Sequence, residues 1–145
     1  MSKEIEEFSS LFKLTPSSSI LDLNSDFSTI SNTLNNLVLS YNGSVTTVQP
    51  ASIKELRVKI KRSNYDYGVI CNTILDYEDQ NHLMKIITLG IRDSGYIIIL
   101  EDKEKPLDVI YELLEEFDFG AVNSIDIFEK YNLIIGKKLH MWGMD

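Results

Sequence analysis

The sequence predicts an α/β fold, a three-layer α/β/α domain on a mostly parallel sheet. Three observations carry this. Apolar spacing alternates along the chain between the helical period and short strand-length runs. The strand-length runs are continuously apolar, as in Tyr96-Ile97-Ile98-Ile99-Leu100, which suits strands covered on both faces. The chain closes on two successive strand-like segments, 121–128 and 133–139, whose four-residue separation suits a hairpin that adds one antiparallel strand.

Each element has its own signature. Ile5, Phe8, Leu11 and Phe12 suggest a short leading helix, and residues 18–23 a first buried strand. Phe27, Ile30, Leu34, Leu37 and Tyr41 step by three and four, one face of an amphipathic helix. Ser25-Asp26 would cap its start and Asn42-Gly43 its end. A second strand over 45–48 stops at Pro50. Ser52-Ile53-Lys54-Glu55 fits a capping box opening a helix with Ile53, Leu56 and Ile60 inward. Residues 68–75 read as a third strand, and Leu83, Ile86, Ile87 and Ile91 as a helix stripe. Ser94-Gly95 then reads as a turn before a fourth strand over 96–100. Pro106 suits the first position of a helix. That helix would bury Leu107, Ile110, Leu114 and Phe117, expose Asp108, Glu112, Glu115 and Glu116, and end at Gly120.

With 145 residues, no repeat and no linker, the expectation is a single domain over 1–145. Fourteen basic residues against 22 acidic give a net charge of −8, which repels phosphate backbones and argues against general nucleic-acid binding. The single Cys71 excludes an internal disulfide framework, and in an apolar strand it reads as an inert thiol. His82 reads as a helix-start or loop residue. Neither it nor His140 has companions at metal-ligand spacing, so no metal site is expected. No run has the length of a signal peptide or a membrane span, so the expected compartment is the cytoplasm.

Several segments together resemble the class I, Rossmann-like methyltransferase family. Tyr65-Asp66-Tyr67-Gly68-Val69-Ile70-Cys71-Asn72 is similar to that family's fourth strand and its lead-in. The stretch from Leu83-Met84-Lys85-Ile86 through Ser94-Gly95-Tyr96-Ile97-Ile98-Ile99 resembles its next helix, turn and strand. The ending Ile134-Ile135-Gly136-Lys137-Lys138 is similar to its terminal hairpin. The resemblance spans roughly 17–142 and implies strand order 2-1-3-4-6-5 with the last strand antiparallel. The family's usual third strand has no counterpart. The sixth strand would then lie between the fourth and fifth, paired on both sides.

The resemblance also implies where S-adenosylmethionine would bind. The family has an acidic residue and a glycine-rich turn after the first strand, because glycine lets the backbone approach the cofactor closely. Here the segment reads Ile20-Leu21-Asp22-Leu23-Asn24-Ser25-Asp26-Phe27, with no glycine before Gly43. Asp22 stands for the acid, with Asn24 in the turn. Gln49 stands where the family has a ribose-binding acid, and offers one acceptor bond instead of two charge-assisted ones. Asn72 falls at the strand switch point, where it either orients a ligand or caps the strand end by bonding backbone.

Outside that site, Asp76, Glu78 and Asp79 form either a source of a general base or a solvated acidic loop, and exposed charge is the commoner case. Lys54, Arg57, Lys59, Lys61 and Arg62, with Glu55, make a +4 stretch that leaves −12 on the rest of the chain. Lys54, Arg57 and Lys61 fall on one helical face, either a partner contact or an ordinary wet surface. Trp142, among Leu139, Met141 and Met144, either covers the sheet edge or offers a docking patch.

Two function classes follow. One is a methyltransferase-like domain that has lost its cofactor and acts as a protein-interaction or self-associating module through Lys54, Arg57, Lys61 or Trp142. The other is an active, divergent S-adenosylmethionine-dependent methyltransferase. The bulky first turn and Gln49 favour the first, with no cofactor expected. A receiver-like domain is disfavoured by the antiparallel ending.

Overall fold

The computed structural model of the chain describes residues 2–24 and 28–139. Its sheet holds β1 (Ser19–Asn24), β2 (Ser44–Val48), β3 (Tyr65–Cys71), β4 (Ile91–Asp102), β5 (Phe119–Ile125) and β6 (Tyr131–Lys138). Their order is β2-β1-β3-β4-β6-β5, as the resemblance implied. The first four strands pair in parallel, and β6 runs antiparallel to both neighbours, Ile98 facing Ile135 on one side and Asn123 facing it on the other.

The path of the chain decides which helix covers which face. From β1 to β2 it steps toward one edge; every later crossover steps toward the other. Right-handed crossovers therefore put α2 (Ser28–Leu39) on one face and α3 (Ile53–Lys59), α4 (Gln80–Gly90) and α5 (Asp108–Glu116) on the opposite one. The core divides accordingly. Ile20, Val69 and Ile98 pack with Leu34 of α2 and with Phe8 of the leading helix α1 (Lys3–Ser9). Leu21, Leu23, Ile70, Ile97 and Ile99 pack with Leu56, Leu83 and Leu114 of the other three helices. Among the described residues no helix is long and apolar enough to cross a membrane.

Several boundaries differ from the sequence expectation. β3 begins at Tyr65, because that residue is fully buried and pairs with Ile91. The polar Asp66 disguises the strand, its carboxylate accepting from the Ser19 N–H at 2.8 Å and from Arg92 at 3.0 Å. The strand stops at Cys71, and Ile74–Asp76 form a 3-10 turn instead of continuing it. Ser94-Gly95 is not a turn between elements but part of an irregular stretch inside β4. There two steps along β3 face five along β4, between Tyr65↔Ile91 and Tyr67↔Tyr96. Gly95 is needed there, since a Cβ would lie 2.8 Å from the Asp66 carbonyl oxygen. α4 accordingly ends at Gly90, and Ile91 belongs to β4.

Pro106 lies ahead of α5, whose N-cap is Leu107. Asp118, at φ 62°, takes the left-handed position after α5, so Gly120 falls within β5. α1 stops at Ser9, yet Phe12 beyond it still reaches the core. The closing strands start two residues earlier than expected, and Phe128 in their connection packs 5.7 Å from Phe8. Other signals hold. Ser52 Oγ accepts the Glu55 N–H at 3.2 Å. Asn42 is left-handed at φ 53°, and a Cβ on Gly43 would press within 2.5 Å of the Ser18 oxygen. The proposed cap Ser25-Asp26, and Phe27, lie outside the described residues.

Candidate functional site

The carboxyl ends of β2, β1 and β3 lie side by side at the point where the strand order reverses, which is where open α/β sheets hold ligands. The structure brings Asp22 and Asn24 together there as one buried cluster. Asp22 is wholly enclosed. Its carboxylate accepts hydrogen bonds from the Ser31 hydroxyl (2.5 Å), the Thr47 hydroxyl (3.1 Å) and the Asn24 amide (3.5 Å). The Asn24 amide also donates to Ser31 Oγ at 3.2 Å. The cluster thereby ties β1 to both α2 and β2.

Asn72 turns the other way. At φ 45° it ends β3, accepts the Asp102 N–H and donates to the Asp102 carboxylate, both at 2.9 Å. Its contacts are thus a strand-end cap joining β3 to β4, the backbone-bonding role typical of asparagine. Gln49 is exposed just past β2 and is not part of the Asp22 cluster. The Ser25-Asp26-Phe27 turn lies outside the described residues.

A tyrosine that the sequence did not single out joins two of the loops at this end of the sheet. The Tyr77 hydroxyl donates to the Ala51 carbonyl at 2.7 Å and accepts the Ala51 N–H at 3.0 Å. This ties the loop after β3 to the loop after β2, and β1 lies between those strands. The open groove of about 600 Å3 beside the bridge runs between 50–53 and 76–79. Asp76, Glu78 and Asp79 are exposed along it, and Asp79 is spent on capping α4 through the His82 N–H.

Glu101, also missed, sits at the end of β4 on the face of α3, α4 and α5. It is fully buried, and among the described residues neither carboxylate oxygen has a hydrogen-bond partner. Lys105 stands 3.6 Å away and is itself 3.9 Å from Asp76. Burial pushes the Glu101 carboxyl up to about 7, with Asp76 adding to the shift. The nearby Lys105 ammonium opposes it. The available signal was parity: Glu101 continues the inward alternation of Ile97 and Ile99, with a lysine four residues on. Cys71 is buried and burial pushes its thiol up, which leaves it unreactive as expected. Among the described residues no group of His, Cys, Asp or Glu is placed to hold a metal; His140 lies outside them.

The basic stretch is rearranged. α3 ends at Lys59, and its cap Ile60 is extended, so Lys61 does not share a helical face with Lys54 and Arg57. Arg57 instead hydrogen-bonds His82 Nε2 across the gap to α4, while His82 Nδ1 lies 3.5 Å from Asp79. Between α3 and α4 lies a groove of about 310 Å3. Arg57, Arg62, His82 and Lys85 line it above a floor that includes Ile60 and Ile86. Trp142 lies outside the described residues.

No known family model and no curated protein sequence matches the chain. Solved structures do. An S-adenosylmethionine-dependent methyltransferase from Aquifex aeolicus superposes with a TM-score of 0.69 at 12% identity, covering 93% of this chain and 89% of that one. One from Archaeoglobus fulgidus gives 0.66 at 15%, covering 92% and 91%. An O-methyltransferase from Thermotoga maritima gives 0.72 at 9%, covering 96% and 66%. Sheet order, helix placement and these superpositions agree: the chain has the class I, Rossmann-like methyltransferase fold.

Proposed function

We propose that this chain is a methyltransferase-like domain that has lost S-adenosylmethionine binding and acts as a protein-interaction or self-associating module. The observation that carries this reading is that the polar groups at the strand ends are already taken by one another. Asp22 spends its carboxylate on Ser31, Thr47 and Asn24, and the Tyr77–Ala51 bridge ties together the loops after β3 and β2. Asn72 is held by Asp102, and the end of β2 offers Gln49 and Pro50. A cofactor with two ribose hydroxyls and an amino-acid head needs free acceptors and close backbone approach. These residues do not fit it.

One observation favours the second reading, an active divergent methyltransferase. The chain superposes over more than nine-tenths of its length on S-adenosylmethionine-dependent methyltransferases from Aquifex aeolicus and Archaeoglobus fulgidus. Calorimetric titration of S-adenosylmethionine into the pure protein separates the two. The expected result is binding no tighter than about millimolar, a free energy near −4 kcal/mol. A micromolar dissociation constant would restore the enzyme.

A further inference from the structure

We propose that α5 of one copy docks in the groove between α3 and α4 of a second copy, so that the chain associates with itself head to tail. The groove is cationic over an apolar floor. Arg57, Arg62, His82 and Lys85 surround Ile60 and Ile86, in a chain whose net charge is −8.

The complementary surface is on the same molecule. Asp108, Tyr111, Glu112 and Glu115 follow one another at helical spacing on α5, and all four are exposed. They make an acidic face carrying one aromatic ring, and Tyr111 is 38% exposed. Carboxylates there match the guanidinium and ammonium groups, and the ring matches the apolar floor. Tyr and Arg are the side chains that most often anchor such contacts.

Within one molecule the two surfaces cannot meet. Ile110, Leu113 and Leu114 anchor α5 in the core, so its acidic face is turned away from its own sheet. The groove faces outward from two other helices on that side. The complement must come from a second copy. Because the two patches differ, the contact is heterologous and propagates into a ring or an open chain. A nine-residue helix covers a small area, so association is weak and concentration-dependent. It is also salt-sensitive, since its charges are exposed.

This contact gives the self-associating module its surface and so rests on that reading. Cofactor calorimetry tests the lost cofactor site alone, whereas mixing two charge-reversed proteins tests only the contact. One protein carries Arg57→Glu with Lys85→Glu; the other carries Glu112→Lys with Glu115→Lys. Sedimentation equilibrium of the wild type should show mass rising with concentration at about 50 mM salt and falling back at about 500 mM. Each variant alone should associate at least about ten-fold more weakly. Their equimolar mixture should recover association, because the intact helix of the groove variant then meets the intact groove of the helix variant, and the reversed groove meets the reversed helix. Circular dichroism confirms that each variant is folded, and Arg62→Glu with Lys85→Glu replaces the first groove variant if the charge reversal Arg57→Glu, next to His82 and Asp79, disturbs folding. A wild type that stays monomeric, variants that associate like the wild type, or folded variants whose mixture stays monomeric would each overturn the proposal.

Discussion

Asp22 and Glu101 are both fully buried, both near the carboxyl ends of parallel strands, and on opposite faces of the sheet. Their surroundings differ in one respect. Asp22 collects three side-chain donors, while among the described residues neither Glu101 carboxylate oxygen makes a hydrogen bond and Lys105 stands 3.6 Å away. Equal burial therefore has unequal consequences. Hydrogen bonds replace lost water around the Asp22 carboxylate, whereas at Glu101 burial pushes the carboxyl up to about 7.

The largest test removes the satisfied carboxylate. Asp22→Ala removes the carboxylate acceptor of the Ser31 and Thr47 hydroxyls and one acceptor of the Asn24 amide, and should cost about 4 kcal/mol in chemical denaturation. A loss under about 1 kcal/mol would mean the cluster is not a structural lock. Next comes pH. The Glu101 carboxyl rises from an ordinary 4.5 to about 7 on folding, so the folded state binds the extra proton. Stability from this group is complete below about 4.5 and is lost as pH rises through about 7, by up to about 3 kcal/mol. Glu101→Gln should abolish that slope and be the more stable protein at pH 8; equal pH dependence in both would break the comparison. Tyr77→Phe removes both bonds to Ala51 and should cost about 1.5 kcal/mol, with faster hydrogen exchange at the Ala51 amide. The smallest effect belongs to Arg57→Ser with Lys61→Ser, which should leave stability within about 0.5 kcal/mol.

Much of the fold was legible because it rests on periodicity. The run 96–100 identified a strand buried on both faces, whereas the place of β6 between its neighbours came from the resemblance to the methyltransferase family and not from periodicity. What failed was punctuation. Gly95 looked like a turn between elements, Gly120 like a helix end and Pro106 like the first residue of a helix. At Gly95 the glycine answers a close approach of two strands, a tertiary demand with no local signature. The candidate site was half legible. Asp22 and Asn24 are indeed together, because they lie on one strand two residues apart. Asn72 faces Asp102, thirty positions away, and Tyr77 bonds Ala51 across a loop, pairings that no local spacing announces.

The place of β6 also has a consequence during synthesis. A ribosome delivers β4 and then β5 before β6, yet β5 pairs only with β6 in this sheet. Until β6 emerges, Ile97–Leu100 of β4 presents an open hydrogen-bonding edge and β5 has nowhere to dock. The nascent chain thus carries an unpaired apolar strand for the time needed to make roughly thirty more residues, about two to six seconds at ordinary elongation rates. Such an edge is the usual template for wrong pairing between chains. Holding that interval short, or covered by a chaperone, should govern the yield of soluble protein more than the final stability does.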